Sequence, residues 1–230
     1  MLEKLGHTIV PLVPSLFTFN IERHPLKGLE GISLEKVKGK IRNTKLIQEG
    51  AILVTHWGFS GPLILKLSAF GARLINEMNY DFKVEINWIP EVSNVKKSLS
   101  EIKMEFPNRK ISTHTYFNLP IRLWKRFVEL AGINEDLKWT EASKEKLQSL
   151  EKVLTESNFH IKGKTTFKEE FVTAGGISLK EINFKTRESK ICKGLYFAGE
   201  VLDIDGITGG FNFQSAWSTA YISAKGITST

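Results

Sequence analysis

The sequence predicts a mixed α and β fold: a small antiparallel sheet or barrel, a helical unit inserted after it, and a strand–loop–helix segment at the end. Two changes of pattern along the 230 residues carry this prediction. Up to about Pro90, short apolar runs alternate with turn residues, and from about 92 to 158 apolar residues recur three and four positions apart. From Phe159 strand patterns return. The length alone suggests one or two domains and does not choose between them.

The first part of the chain has the pattern of short antiparallel strands. Apolar and polar residues alternate along ISLEKVKGKI (32–41), with one slip near Lys36 that indicates a β-bulge. Prolines at 11, 14 and 25 and glycines at 28 and 31 separate such runs into short strands. One helix is expected to interrupt them over LILKLSAFGARLI (63–75), with Pro62 in its first turn.

Three amphipathic helices are expected in the central part, over 95–106, 120–132 and 141–157. In the second, Leu123, Phe127 and Leu130 share a predicted face, and Gly132 marks its end. Such a unit could be a helix–turn–helix that binds DNA, or a subdomain that packs on the rest of the molecule or covers a site as a lid. We favour the packing or lid interpretation.

Composition and charge exclude several classes of protein. The 32 Lys and Arg outnumber the 25 Asp and Glu, but lysines and glutamates are mixed throughout, so nucleic acid is an unlikely partner. The longest apolar runs are far too short to span a bilayer, which predicts a protein without a membrane role. Cys192 is the single cysteine, and no secretory leader opens the chain; we therefore expect a cytoplasmic location. The five histidines show no metal-ligand spacing, so no metal site is predicted.

The strongest candidate site is the stretch GEVLDIDGITGGFNFQSA (199–216), which follows an apolar run, GLYFAG, expected to be a strand. Glycines let a backbone approach a ligand closely, and the first amides of the following helix, over about 212–225, attract an electron-rich group. The pyrimidine edge of a flavin is such a group. Glu200 and Asp203 could accept hydrogen bonds from sugar-like hydroxyls. The alternative is an acidic turn that only connects two elements. We expect Ala216, Ala220 and Ala224 to share one face of the helix.

Two further motifs are weaker signals. VTAGGIS (172–178) has a glycine pair, Gly175 and Gly176, after Thr173, in a segment expected to be followed by another strand at INFKT (182–186). THWGFSGP (55–62) nearly matches the G-x-S-x-G nucleophile elbow, but Pro62 replaces the final glycine. We therefore interpret Ser60 as a helix cap and not as a nucleophile.

Four motifs in order resemble one family of bacterial flavoproteins: GHTIVPLVPSL (6–16), THWGFSGP, VTAGGIS and GLYFAGEVLDIDGITGGFNFQSAWS (194–218). The family comprises the NAD(P)/FAD-dependent oxidoreductases of the BaiN type, also labelled aminoacetone-oxidase-like. The resemblance implies a Rossmann-like FAD-binding domain interrupted by a β-barrel domain, which itself carries a helical insertion. It places the barrel at 1–90 with 159–171, the helical subdomain at 91–158 and the carboxyl-terminal part of the FAD-binding domain at 172–230.

The resemblance also implies the residues that contact FAD. Gly199 and Glu200 would lie at the ribityl–phosphate region, and Thr173, Gly175 and Gly176 would approach the flavin ring. Backbone amides near the pyrimidine edge would come from one loop and helix start: Gly209, Gly210, Phe211, Asn212 and Phe213. The implied activity is hydride transfer through the flavin, with NAD(P)H or a small organic molecule as donor or substrate. No catalytic acid or base is singled out.

The sequence departs from this family in one large respect. The family opens with a strand, a G-x-G-x-x-G turn and a helix that hold the FAD pyrophosphate, and nothing in this sequence matches that motif. We therefore expect a carboxyl-terminal portion of a flavoprotein, in which FAD retention depends on a partner chain that supplies the missing half, or on self-association. Two alternatives stay open: a non-catalytic fragment that associates with such a partner, and a nucleic-acid-binding module that uses the helical segment 91–158.

Overall fold

The computed structural model describes residues 1–163 and 172–228. The strands are β1 (Ile9–Ser15), β2 (Phe19–Asn20), β3 (Ser33–Ile41), β4 (Ile47–Val54), β5 (Gly58–Ser60), β6 (Asp81–Asn87), β7 (Ser157–Lys162) and β8 (Val172–Ile177). The α-helices are α1 (Pro62–Phe70), α2 (Ala72–Glu77), α3 (Val95–Glu105), α4 (Ile121–Leu130), α5 (Lys144–Thr155) and α6 (Phe211–Thr228). Part of the predicted barrel segment 159–171, namely 164–171, lies outside the described residues.

The main sheet is an antiparallel, nearly closed barrel, as the sequence predicts. Six strands follow the order β2-β5-β4-β3-β6-β7, and a bridge between Ile21 and Ile161 joins the end of β2 to β7. The predicted bulge is confirmed, because the register of β3 against β4 shifts between Leu34 and Val37. Closing a sheet in this way leaves few free edges and gives the inward-facing side chains one shared core.

Helix α1 packs against the barrel where two strands carry glycine. A Cβ on Gly39 would lie 3.0 Å from Leu67 Cδ1, and a Cβ on Gly50 would lie 3.2 Å from the backbone nitrogen of Leu63. Only glycine lets the helix come this close to β3 and β4. Pro62 occupies the first turn of α1, as expected, but the residue before the helix is Gly61 and no side chain caps it. The expected Ser60 cap is therefore wrong: Ser60 is the last residue of β5.

The helical unit α3–α5 is inserted between β6 and β7, and all three of its predicted helices are present. Two arginines of α4 join it to the barrel: Arg126 Nη1 donates to Pro25 O at 2.6 Å and Arg122 Nη2 donates to Gly28 O at 2.5 Å. Leu123 and Phe127 are fully buried, whereas Leu130, predicted on the same face, is 42% exposed. Leu130 is the last residue of α4, where the chain turns away from the core.

The core of the barrel runs continuously into the helical unit. Phe59 and Phe159 make an edge-to-face contact with ring centroids 4.7 Å apart, and Trp88 packs on Phe127 of α4 at 5.2 Å. These rings belong to one buried cluster that reaches from Phe17 to Ile161. The helical unit is thus packed on the barrel through a shared aromatic core, as the packing interpretation predicts.

The segment after β7 forms a second, smaller layer. β8 pairs antiparallel with β1 in a two-stranded sheet, and a separate cluster of Ile177, Ile182, Phe197 and Leu202 is buried beside it. The strands expected at INFKT and GLYFAG are not formed; only isolated bridges occur there, at Ile182 and Tyr196. INFKT curls into a turn because Asn183 accepts the backbone N–H of Arg187 at 2.7 Å.

Candidate functional site

Three segments meet at the glycine-rich stretch: the end of β8, the loop 199–206, and α6. Leu202 bridges to Ile177 in parallel, and the Asp203 N–H donates to Ile177 O at 3.1 Å. On the other side, the Gly199 N–H donates to Thr219 Oγ1 of α6 at 2.9 Å. Candidates from two separate sequence motifs, 172–178 and 199–216, therefore lie in one contiguous part of the molecule.

The glycine pair of β8 is required by close backbone packing. Gly175 and Gly176 have φ values of 110° and 136°, which side-chain-bearing residues rarely adopt. A Cβ on Gly175 would lie 2.4 Å from Pro11 O, and one on Gly176 would lie 2.6 Å from Val201 O. Protein backbone therefore fills the space beside both glycines. Thr173 is opposite Pro14 in the β1–β8 register and is half-buried. The approach of these three residues to a flavin stays a prediction.

The second glycine pair, before α6, is open at Gly210, whereas a Cβ on Gly209 would lie 3.4 Å from the Phe211 ring. Gly209 and Gly210 also have positive φ, 113° and 86°, but a Cβ on Gly210 would meet no atom within 4 Å. The backbone N–H groups of Phe211, Asn212 and Phe213 are in the first turn of α6, where a helix offers no internal acceptor. This combination of accessible backbone and unpaired amides can bind an anionic or electron-rich edge.

The Asn212 side chain has a structural role that sequence reasoning missed. Its Oδ1 accepts the Gly206 N–H at 2.8 Å and its Nδ2 donates to Gly206 O at 3.0 Å. This pair of bonds closes the loop 206–212 onto the start of α6. The carboxamide is therefore occupied, and only the backbone amide of Asn212 remains for a ligand.

The acidic residues of the stretch are held differently from one another. Glu200 is exposed, whereas Asp203 Oδ1 forms an ion pair with Arg73 Nη2 at 3.1 Å. Arg73, on α2, also donates to Pro11 O at 3.1 Å, so it links β1 to the loop. Asp205 accepts a hydrogen bond from Ser15 Oγ at 3.1 Å. A sugar hydroxyl at Asp203 would share this carboxylate with Arg73. No sequence pattern indicates these pairings, since they join residues far apart in the chain.

Helix α6 is turned with its aromatic side outward. The predicted alanine face is not the packed one: Ala220 and Ala224 are exposed, and the buried residues are Thr219, Ser223 and Gly226. Ser223 Oγ donates to Phe197 O at 2.9 Å, and at Gly226 a Cβ would lie 2.6 Å from Thr186 O, so small residues allow the close approach. On the opposite side, four large apolar residues are exposed: Phe211, Phe213 (70%), Trp217 (68%) and Tyr221 (63%). We call these four residues the α6 aromatic face.

The α6 aromatic face is larger than the scattered apolar residues of an ordinary surface. The rings of Phe213 and Trp217 stack with centroids 6.2 Å apart, so these two exposed groups are contiguous. Exposed contiguous aromatic surface next to a glycine loop marks a place where another molecule or another part of a protein packs.

Ser189, His7 and Glu181 are joined by buried hydrogen bonds in the order of a catalytic triad, but the serine hydroxyl is not accessible to a substrate. His7 Nδ1 is 3.0 Å from Glu181 Oε2, and His7 Nε2 is 3.0 Å from Ser189 Oγ. Ser189 is 5% exposed, and its Oγ accepts the backbone N–H groups of Ile191 and Cys192. A nucleophile must reach a substrate, and this hydroxyl instead stabilises a turn. The group fastens the amino-terminal segment to the second layer.

A cleft lies elsewhere, between the barrel and the helical unit. It has a volume of about 560 Å³ and is lined in part by Lys36, Trp88, Glu91 and Phe117. None of the candidate residues of the glycine-rich stretch lines it. Within residues 1–163 and 172–228, no helix has the length and apolar character needed to cross a membrane.

Comparison with known proteins gives the family. Residues 13–172 match the family described as HI0933-like protein barrel and H2TH domain. Three relatives align with nearly the whole chain. A 3-dehydro-bile acid delta(4,6)-reductase of Clostridium scindens is 27% identical over 227 residues, covering 97% of this chain and 55% of the relative. Ribosomal RNA dihydrouridine synthases of Haemophilus influenzae and Escherichia coli are 34% and 31% identical, covering 98% and 97% of this chain and 54% of each relative.

The chain thus spans about half the length of these relatives. The alignments with them extend through α6, beyond the residues that the family match covers. Because the family match covers more than half of the chain, the protein belongs to the HI0933-like family, of which it carries the barrel and H2TH domain.

Proposed function

We propose that this chain supplies the barrel, the helical unit and the flavin-facing segment of an FAD-dependent reductase that adds hydrogen to a carbon–carbon double bond. FAD, when bound, would supply the hydride-transfer chemistry: NAD(P)H would be oxidised to NAD(P)⁺ with loss of a hydride, and the double bond would take up a hydride and a proton from water. The residues proposed to hold it are Gly199, Glu200 and the backbone from Gly209 to Phe213, with β8 behind them. The observation that carries the proposal is the glycine pair at the start of α6, whose unpaired amides have no protein group above them at Gly210.

The residues present fit a flavin. Gly210, with positive φ, leaves open space on its side of the loop. The amides at the helix start favour negative charge, which develops on the pyrimidine edge on reduction. Asn212 fixes the loop through its side chain, so the amides are held in place before a ligand arrives. Such preorganisation is how a protein orients and tunes a cofactor.

The type of reaction is supported by the names of the relatives. One is a reductase named for positions of unsaturation, and two form dihydrouridine, the product of adding two hydrogens to uridine. All three names describe reduction of a double bond, on a small molecule in one case and on RNA in the others. NAD(P)H is the donor class proposed here for the hydride.

The proposal includes a partner for the α6 aromatic face. The relatives are about twice as long as this chain, and the G-x-G-x-x-G half of a Rossmann-like domain is the segment we propose to cover Phe213, Trp217 and Tyr221. That half would also supply the grip on the FAD pyrophosphate. It could belong to the same polypeptide or to a separate chain.

The test is the visible absorption spectrum of the chain with added FAD, recorded after desalting, alone and with the part of the Haemophilus influenzae relative that the alignment leaves uncovered. We expect oxidised-flavin bands to be retained when that part is present. Gly210→Ala should lower FAD retention, since its Cβ would point into the open space above the loop. Gly31→Ala is the matched control, because Gly31 has φ 85° and equally open surroundings. A complemented protein that stays colourless would contradict the proposal.

A further inference from the structure

Strand β3 carries a row of positive charges on its outward side. Val37, Gly39 and Ile41 face the core, so the alternating positions Lys36, Lys38, Lys40 and Arg42 share the opposite, solvent-facing side. Arg42 follows the last residue of the strand, and its N–H donates to Lys83 O at 2.9 Å, so the exposed Lys83 of β6 lies beside it. We call these five residues the β3 cation row.

The carboxylates near this row pair with it only weakly. Lys36 is 2.6 Å from Glu91, Lys38 is 3.3 Å from Glu49, and Arg42 Nε is 3.9 Å from Glu85. The first two pairs are exposed, whereas the Glu85 side chain is only 29% exposed, and exposed pairs contribute about 0–1 kcal/mol each. The exposed Glu35 also lies at the Lys36 end. Glu85 is opposite Lys40 in the β3–β6 register, and Arg42 Nη1 donates to Asn158 Oδ1 at 2.9 Å. Four cations, at Lys38, Lys40, Arg42 and Lys83, therefore lie beside two carboxylates, Glu49 and Glu85, and the excess of positive charge is in this part of the row. An incoming anion can displace the exposed carboxylate of Glu49.

The row is regular as well as basic. Residues on the same side of a strand are spaced about 6.6–6.8 Å apart along it. This is comparable to the spacing of successive phosphates along an extended nucleic-acid strand. A linear row of cations at this spacing fits a polymer of phosphates better than it fits a compact anion, which would meet only one or two of them.

From this geometry we infer that the β3 cation row binds the sugar–phosphate backbone of a single-stranded segment of RNA. The inference rests on the proposed function, in that it selects RNA as the substrate class of the same reductase. Two relatives that align with nearly all of this chain are named as acting on ribosomal RNA, at 34% and 31% identity. An RNA substrate needs a contact surface beyond the reacting base, and phosphate contacts position a nucleic acid without reading its sequence.

The helical unit is a poorer candidate for this surface, contrary to what a helix–turn–helix interpretation would suggest. Residues 91–158 contain 12 Lys and Arg against 10 Asp and Glu, so their net charge is small. Arg122 and Arg126 donate to barrel carbonyls, and Lys110 pairs with Asp136 at 2.6 Å. The sequence places lysines in both regions, and only the fold shows that those of β3 form a line.

The experiment measures binding of a fluorescein-labelled oligouridylate by the chain as a function of salt concentration. The test variant is K38Q/K40Q, and the matched control is K144Q/K146Q, which removes the same charge from α5. Each phosphate contact to a single strand contributes about 0.7 to the slope of log K against log salt, so losing two contacts lowers the slope by about 1.4. A fourfold rise in salt should then weaken the wild type about sevenfold more than K38Q/K40Q.

Each outcome of this experiment either supports or overturns RNA binding by the β3 cation row. A reduced slope in K38Q/K40Q with the wild-type slope in K144Q/K146Q supports the inference. Equal slopes in both variants, no binding by the wild type at low salt, or stronger binding to anionic lipid vesicles than to the oligouridylate overturns it. Circular dichroism establishes that both variants are folded, which we expect since the four lysines lie on the surface. The assay needs no flavin, so its failure is distinct from a failure to retain FAD.

Discussion

Removing Trp217 should abolish association with the missing half while leaving the chain folded. The side chain is 68% exposed, and a tryptophan buries up to about 250 Å². Covering the exposed part would therefore remove about 170 Å² from water, which at about 25 cal/mol per Å² is about 4 kcal/mol. Trp217→Ser should thus weaken binding of the complementary half by about a thousandfold. Large effects of this kind are typical of central aromatic residues in an interface.

The measurement is calorimetric titration of the chain with the part of the Haemophilus influenzae relative that lies outside the alignment. Trp57→Ser is the control, since Trp57 is also a partly exposed tryptophan, at 42%, but lies on the barrel between β4 and β5. Urea unfolding of both variants should change by less than about 1 kcal/mol, because neither side chain is packed in the core. If Trp217→Ser binds the half as tightly as Trp57→Ser does, the α6 aromatic face is not the interface and the reasoning fails.

Two further predictions concern stability. Gly176→Ala should destabilise the chain by about 3 kcal/mol or more in urea unfolding, because the new Cβ would lie 2.6 Å from Val201 O at φ 136°. The control Gly31→Ala should cost only about 1–2 kcal/mol of backbone strain, since its Cβ would meet no atom within 4 Å. Similar losses of stability in both variants would show that the contact with Val201 O is unimportant. Hydrogen bonds from Thr8 hold the pKa of Glu181 below its ordinary value of 4.5, so its contribution to stability is present above pH 4.5 and is lost as pH falls through the folded pKa. Glu181→Gln should therefore unfold with a flatter dependence on pH in this acid range, and an unchanged acid limb would contradict the assignment.

The parts of the fold that the sequence predicted are those fixed by local pattern. The helix start at Pro62, the bulge near Lys36 and the three central helices depend on residues within one or two turns of each other. The single helix expected over 63–75 is instead two helices, α1 and α2, which meet at Gly71. The strand expected at INFKT is not formed, because the backbone carbonyl of Asn183 accepts the Arg187 N–H and closes a turn. Alternation of apolar residues does not reveal such a turn.

Only the backbone features of the candidate site could be predicted from the sequence. The glycine pairs and the helix start can be identified in the sequence, since glycine has few other uses at such positions. Which side of α6 packs inward depends on small residues that allow close approach to Phe197 and Thr186, and an apolar periodicity favours the opposite side. That conflict is itself informative, because an aromatic face left outward by the fold indicates a surface made for contact.

The link between α2 and the glycine loop leads to a last prediction. Arg73 contacts both Pro11 O and Asp203 Oδ1 at 3.1 Å, so it connects β1, the barrel side and the segment before Gly206. As an exposed pair it should contribute about 1 kcal/mol or less to global stability. Its effect should instead be local to the loop 203–210, where Arg73 acts beside the Asp203 N–H bond to Ile177 O, the Ser15–Asp205 bond and the two Asn212–Gly206 bonds.

Arg73→Met should therefore leave the urea midpoint nearly unchanged while hydrogen exchange at the amides of Asp203 and Gly206 becomes faster. Lys97→Met is the control, since it breaks an exposed pair with Glu101 on α3, far along the chain from the loop, and should not alter that exchange. If exchange in the loop is equal in both variants, Asp203 is positioned by β8 alone. In that case the Arg73 ion pair would not order the loop, and contact with a sugar hydroxyl would be the better explanation of the Asp203 carboxylate.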